Sequence, residues 1–257
     1  GDIDRADRAL GLDRHQTAPL LTTYFALFTC YAYTIITCSK EKRDITFWLR
    51  ASILYRAVLF FALPALSDDF YRFLWDGRLI AAGYNPFASV PSHFMNLNPP
   101  VEGLDAALFE KLNSQHRFSS YPPVCQLIFW LSAELSASSI YGGVLVMRSI
   151  LLLFEIATLW ILRRLLVQFN LMQGSVLLYA LNPLVVLEIT GNLHFEGVMV
   201  FFLMLSILLL TTNKVWRSGM CFALSVCTKL IPLLFLPVLP RFMGWKKAMI
   251  YWLTTGA

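Results

Sequence analysis

Apolar stretches close to membrane length alternate along the chain with short polar breaks. Spanning a bilayer as a helix takes about 20 mostly apolar residues. Six windows read that way: residues 19–38, 47–66, 144–162, 174–189, 197–210 and 219–239. Residues 124–135 and the stretch from Trp245 onward are shorter and ambiguous. The only long polar segment runs from Ser67 to Tyr121. Within it, residues 69–82 have helical periodicity: Phe70, Phe73, Leu74, Gly77 and Ile80 share an apolar face, with Arg72, Asp76 and Arg78 polar. That pattern predicts an amphipathic helix lying on the membrane surface. Gly83-Tyr84-Asn85-Pro86 breaks it, residues 88–118 read as loop with a short helix at 104–112, and Tyr121-Pro122-Pro123 opens the next apolar segment. The fold class expected is all-α: a polytopic transmembrane helical bundle with one large external loop carrying an interfacial amphipathic helix.

Composition agrees. Hydrophobic residues make up 57% of the 257 and charged residues 14%, against about 25% charged in soluble domains. The net charge of +5 is not a nucleic-acid signature, because the cations sit at the ends of apolar runs: Lys40-Glu41-Lys42-Arg43, Arg163-Arg164, and Lys214 to Arg217. The positive-inside rule places all three clusters in the cytoplasm. Residues 47–66 then run outward and deliver Asp68-Asp69 to the external face. Residues 121–135 dip without crossing, and Gly191 to Glu196 is again external. The chain divides into a polar juxtamembrane tail (1–18), two transmembrane helices (19–66), an external catalytic loop (67–121) and a helical core (122–257) cut off at its C-terminus. The five cysteines, Cys30, Cys38, Cys125, Cys221 and Cys227, have no metal spacing and read as small buried thiols.

Candidate chemistry concentrates where the second apolar window meets the polar segment. Paired carboxylates at the water–lipid interface are placed to act on a substrate at the membrane surface, which is the favoured reading, although Asp68-Asp69 can instead cap the following helix, Asp69 being the better placed for that. Asp76 can bind substrate or pair with Arg72 four residues away. Arg78 can meet a lipid phosphate or snorkel to headgroups. His194 can contact substrate or close a helix end. Charges at Arg56, Arg148, Glu155, Glu188 and Lys229 fall within or near apolar spans, where function or pairing is the default reading. Arg148 and Glu155, seven residues apart, share a helix face and are expected to be a structural pair linking helices rather than catalytic groups.

The ordered motifs Asp68-Asp69-Phe70-Tyr71-Arg72, Trp75-Asp76-Gly77-Arg78, Gly83-Tyr84-Asn85-Pro86, Tyr121-Pro122-Pro123, Tyr179 to Leu184, Gly191 to His194 and Lys229-Leu230-Ile231-Pro232 resemble those of membrane-embedded GT-C glycosyltransferases. More narrowly, they are similar to bacterial polyprenol-phosphate-sugar-dependent mannosyltransferases. Glu196 departs from the pattern, which has an Asp after the His. The resemblance implies a polyprenyl-phosphate sugar donor, mannose favoured, and a glycan, lipid or protein acceptor. It also implies an active site on the periplasmic face of a bacterial inner membrane. Asp68 or Asp69 would be the base for inverting attack, and Arg72, Arg78 and Lys229 would meet the donor phosphate and lipid. Trp75, Asp76, Tyr84, Tyr121, Asn192, His194 and Glu196 would bind substrate, with no metal and no other cofactor. A lipid-linked-sugar transporter would have inverted repeats, and none is visible. A polysaccharide ligase would carry its main loop late in the chain.

Overall fold

The computed structural model describes residues 17–38, 42–136 and 139–256, and these are helical without strands. Most of the polar tail and part of the Lys40–Arg43 cluster lie outside the described residues. The principal helices are α1 (Thr17–Cys38), α2 (Lys42–Leu59), α3 (Asp69–Ala81), α4 (Pro123–Leu135), α5 (Ile140–Gln168), α6 (Glu196–Thr211), α7 (Val215–Val226) and α8 (Trp245–Thr255). Two of them, α1 and α5, are long and apolar enough to cross a membrane. A third candidate span is the broken pair Gln173–Ala180 and Pro183–Gly191, bent by 48°. The bend falls at Asn182-Pro183, where Pro cannot extend the preceding helix and the Asn182 side chain caps the next one by accepting from Leu184 N at 3.0 Å.

Two further windows come out differently. The helix expected over 47–66 is displaced: α2 begins at Lys42 and stops at Leu59. Pro64 disfavours helix at the residue before it, and α2 carries Arg50 and Arg56, so it lacks the composition of a clean span. The window 219–239 is two pieces, α7 and a 3₁₀ segment Ile231–Val238, separated at the Lys229-Leu230-Ile231-Pro232 motif. The window 197–210 is the 16-residue α6. The segment expected to dip, 121–135, contains α4, whose 13 residues reach about 20 Å, against a bilayer core of about 30 Å.

The largest departure concerns α3. Phe70 through Leu79 are all buried, so its polar residues are not on a solvated face. Helix α4 packs on one side and the loop before it covers another. Phe73 stacks on Phe129 at 4.7 Å, and Tyr121 and Phe195 meet both rings edge-on. Gly77 permits this approach, because a Cβ there would lie 2.2 Å from the Phe129 carbonyl oxygen. The covering loop contains short helices Pro91–Met95 and Ala106–Glu110. By contrast α1 is peripheral, with Leu21, Phe25, Tyr33 and Ile36 exposed. Cys30 on α1 is likewise exposed rather than buried, whereas Cys125 is buried as expected.

Candidate functional site

Two turns far apart in sequence are gathered by one side chain. Arg148, fully buried on α5, donates from Nε to Thr190 O at 2.8 Å, from Nη1 to Phe60 O at 2.7 Å and to Ala62 O, and from Nη2 to Gly191 O at 2.9 Å. The turn after α2, which leads to Asp68, is thereby held against the turn that leads to His194. Asn192 adds a second tie. Its Oδ1 accepts from Leu66 N at 3.3 Å, and its Nδ2 donates to Glu188 Oε2 at 3.1 Å. The expected Arg148–Glu155 pair does not form. Two helical turns separate those residues by about 10 Å along the axis, and Glu155 instead binds Arg56 of α2 at 2.9 Å and Tyr179 at 2.5 Å.

At the start of α3 lies a cleft of about 290 Å³, with Asp69 and Arg72 on one wall and residues 113–121 on the other. Asp69 Oδ1 accepts from Asn113 Nδ2 at 2.8 Å. Asp68, not Asp69, occupies the N-cap position, and its side chain makes no capping bond there; Ser67 Oγ accepts from Asp69 N at 3.3 Å. Both aspartates are half-buried. Burial pushes the Tyr121 phenol above its ordinary range, with Asp69 and Asp76 adding to the rise, so it remains a neutral donor. Arg117 lines the cleft with an exposed side chain.

Arg72, on the cleft wall, and Asp76 behind it hold the cleft together. They pair at 2.8 Å, as the four-residue spacing allows, but both are buried. Arg72 Nη1 donates to Ser114 O at 3.1 Å and to Arg117 O at 2.9 Å. Asp76 Oδ2 accepts from Ser119 Oγ at 2.5 Å and Gln126 Nε2 at 3.0 Å. The pair thus fastens residues 114–119 over α3. Trp75, expected to meet substrate, is wholly buried against Phe109. Arg78, nine residues and about 13 Å along α3 from Asp69, lines a different cleft with Glu102 and Asp105, and Tyr84 lies farther on, half exposed beside Phe94. Burial lowers the Arg78 pKa against the opposing charge of Asp105.

The second polar group surrounds His194. Its Nδ1 lies 3.1 Å from Glu188 Oε2, while Tyr24 of α1 donates to Glu188 Oε1 at 3.3 Å. Glu188 belongs to a π-helical turn, Val186–Gly191, a geometry frequent at functional sites. Hydrogen bonding to Glu188 raises the His194 pKa against its partial burial, and the charges of Glu196, Glu188 and Asp69 raise it further. Asp69 and His194 are therefore electrostatic neighbours. Glu196 and Lys229 pair directly, which ties the start of α6 to the break after α7. Of the predicted residues, Asp69, Arg72 and Tyr121 line the cleft, and His194, Asn192 and Glu196 form a second cluster. Arg117 and Asn113 carry no local sequence signal that marks them, and Arg148 is marked only as a charge within an apolar run, without its carbonyl partners. Among the described residues no three His, Cys, Asp or Glu side chains converge as a metal site would require.

No solved structure matches the chain. Alpha-(1->6)-mannopyranosyltransferase B of Corynebacterium glutamicum is 29% identical over 173 residues, covering 67% of this chain and 27% of that protein. The chain thus spans about a quarter of the length of the curated relative it matches. Residues 13–245, which include both aspartates, the Arg148 clamp and the His194 cluster, match the family model described as alpha-(1->6)-mannopyranosyltransferase, N-terminal domain, and the chain belongs to that family.

Proposed function

We propose that the protein is a multi-pass membrane glycosyltransferase that moves mannose from a polyprenyl-phosphate donor to an acceptor hydroxyl, forming an α-(1→6) linkage. The site would face the periplasm of a bacterial inner membrane, with Arg163-Arg164 and Lys214 to Arg217 in the cytoplasm. The observation that carries the reading is the cleft at the head of α3, where Asp69 faces residues 113–121 beside His194. An alcohol has a pKa far above neutrality, so its attack on the anomeric carbon needs a base. Asp69 takes that proton, and attack opposite the leaving group inverts the centre, so an α product requires a β-linked donor. As the C–O bond to the lipid phosphate breaks, negative charge grows on the phosphate. Arg117, which lines the cleft, and His194, whose pKa is raised by Glu188, would stabilise it. Arg72 acts chiefly by positioning, its Nε and Nη1 being engaged by Asp76 and the loop, and Lys229 is paired with Glu196. A phosphate leaving group stabilised by cations needs neither protonation nor a metal.

The test is transfer of radiolabelled mannose from a polyprenyl-phosphate donor by membranes carrying the full-length protein. Asp69→Asn is expected to slow transfer by about two to four orders of magnitude, with expression and thermal stability retained. Near-normal transfer in Asp69→Asn with loss in Asp68→Asn would move the base by one residue. Movement of the intact lipid-linked sugar across the bilayer without transfer would replace the enzyme reading with a transporter.

A further inference from the structure

The end of α5 remote from Arg148 holds a second basic centre, which the proposed reaction does not use. Arg163, Arg164 and Lys214 line a cleft of about 630 Å³ where the last turns of α5 meet the end of α6. Thr211 Oγ1 donates to Gln168 Oε1 at 3.0 Å, joining the two helix ends. Lys247 reaches Asn213 Oδ1 at 3.2 Å and brings a fourth cation to the neighbourhood. The cleft is also apolar: Val167, Leu208 and Leu209 contribute to its walls. The Arg164 guanidinium lies 4.3 Å from the centre of the Trp160 ring, which is 53% exposed. Among the described residues no acidic side chain lines it.

Position sharpens the chemistry. Arg163 is fifteen residues beyond Arg148, about 22 Å along the helix, so with α5 as a membrane span this cleft sits near the opposite bilayer boundary. Trp is favoured at that depth. Grouped cations without a counter-charge repel one another, and a phosphate bridging them removes that repulsion while arginines can hold it bidentately. A soluble anion would leave the apolar wall in water, whereas a lipid would cover it with acyl chain.

We propose that this cleft binds the phosphate headgroup of an anionic membrane lipid, with the acyl chains lying against Trp160, Val167 and Leu208. The inference rests on α5 spanning the membrane and is independent of the catalytic reading. The test is native mass spectrometry of the full-length protein in detergent with equal phosphatidylglycerol and phosphatidylcholine. Phosphatidylglycerol is expected to be retained several-fold over phosphatidylcholine. The triple variant R163Q/R164Q/K214Q should lose that preference, while the charge-matched control R50Q/R241Q/K246Q keeps it. Preference retained by the triple variant, or lost equally by the control, overturns the site. Binding of millimolar inorganic phosphate that displaces the lipid would make it a free-anion site and overturn the lipid assignment. If the triple variant does not fold, quenching by brominated lipids decides the matter, read as the difference between wild type and Trp160→Phe. Stronger quenching by the anionic lipid supports the proposal, and equal quenching by both lipids overturns it.

Discussion

Arg56 and Arg148 are both wholly buried, yet they are satisfied in opposite ways. Arg56 meets a carboxylate, Glu155, and adds the carbonyls of Ser52 and Ala180. Arg148, among the described residues, binds four backbone carbonyls and no carboxylate. The first centre joins helix to helix: α2 to α5, with Tyr179 bringing in the broken segment. The second joins turn to turn. Because Arg148 uses carbonyls, it gathers the loops of the candidate site without engaging Asp68, Asp69 or Glu188. An ion pair sets the scaffold, and a cation bound only by backbone sets the site.

The comparison predicts a difference between stability and turnover. Arg56→Leu leaves Glu155 buried without its cation, which costs about 3–5 kcal/mol. Thermal unfolding in detergent should show the loss, and Arg56→Leu/Glu155→Leu should recover much of it. A double variant no more stable than the single would mean that the two side chains are not coupled. Arg148→Lys keeps the charge but concentrates its donors at one nitrogen, which cannot span carbonyls of two separate turns. Stability should fall less than in Arg56→Leu, by about 1.5–3 kcal/mol, while turnover falls by about 10- to 100-fold through misplacement of the loops. Turnover that declines only in step with the melting temperature would reduce Arg148 to the same scaffold role as Arg56.

The smallest effect is electrostatic. The His194 pKa is raised in the folded state, so its contribution to stability is fully present below the unfolded value of about 6.5. That contribution is lost as pH rises through the higher folded value. Glu188→Gln weakens the hydrogen bond that raises it, so the advantage should shrink and fade at lower pH. Melting temperatures of the two proteins from pH 5 to 9 measure this, and parallel curves would remove Glu188 as the cause.

These centres were unequally legible in the sequence. The helices were, because a span needs only a run of apolar residues. The Arg72–Asp76 pair was legible from its spacing, but its burial was not, since helical periodicity cannot show that residues 113–121 fold over the polar face. Arg148 was visible as a charge in an apolar run, and its nearest acid by spacing was Glu155. Its actual partners are carbonyls, which every residue possesses and no sequence pattern marks. Arg117 was lost in the same way: a single cation in a loop becomes part of a site only when that loop closes on α3. The carboxylate pair stood out because two acids close an apolar stretch, but only the fold shows that Asp69 lines the cleft and Asp68 takes the N-cap position.

Gly77 gives the site a mechanical vulnerability. Its α-carbon faces the backbone of Phe129 with no room for one added carbon, and the next residue toward the cleft, Asp76, is bonded to Gln126 of the same opposing helix. A methyl group at position 77 would act as a wedge near the fulcrum of that contact, prying α4 from α3 and pulling on the Asp76–Ser119 attachment. The depth of the cleft at Asp69 is thus set about two turns away, by the absence of a side chain.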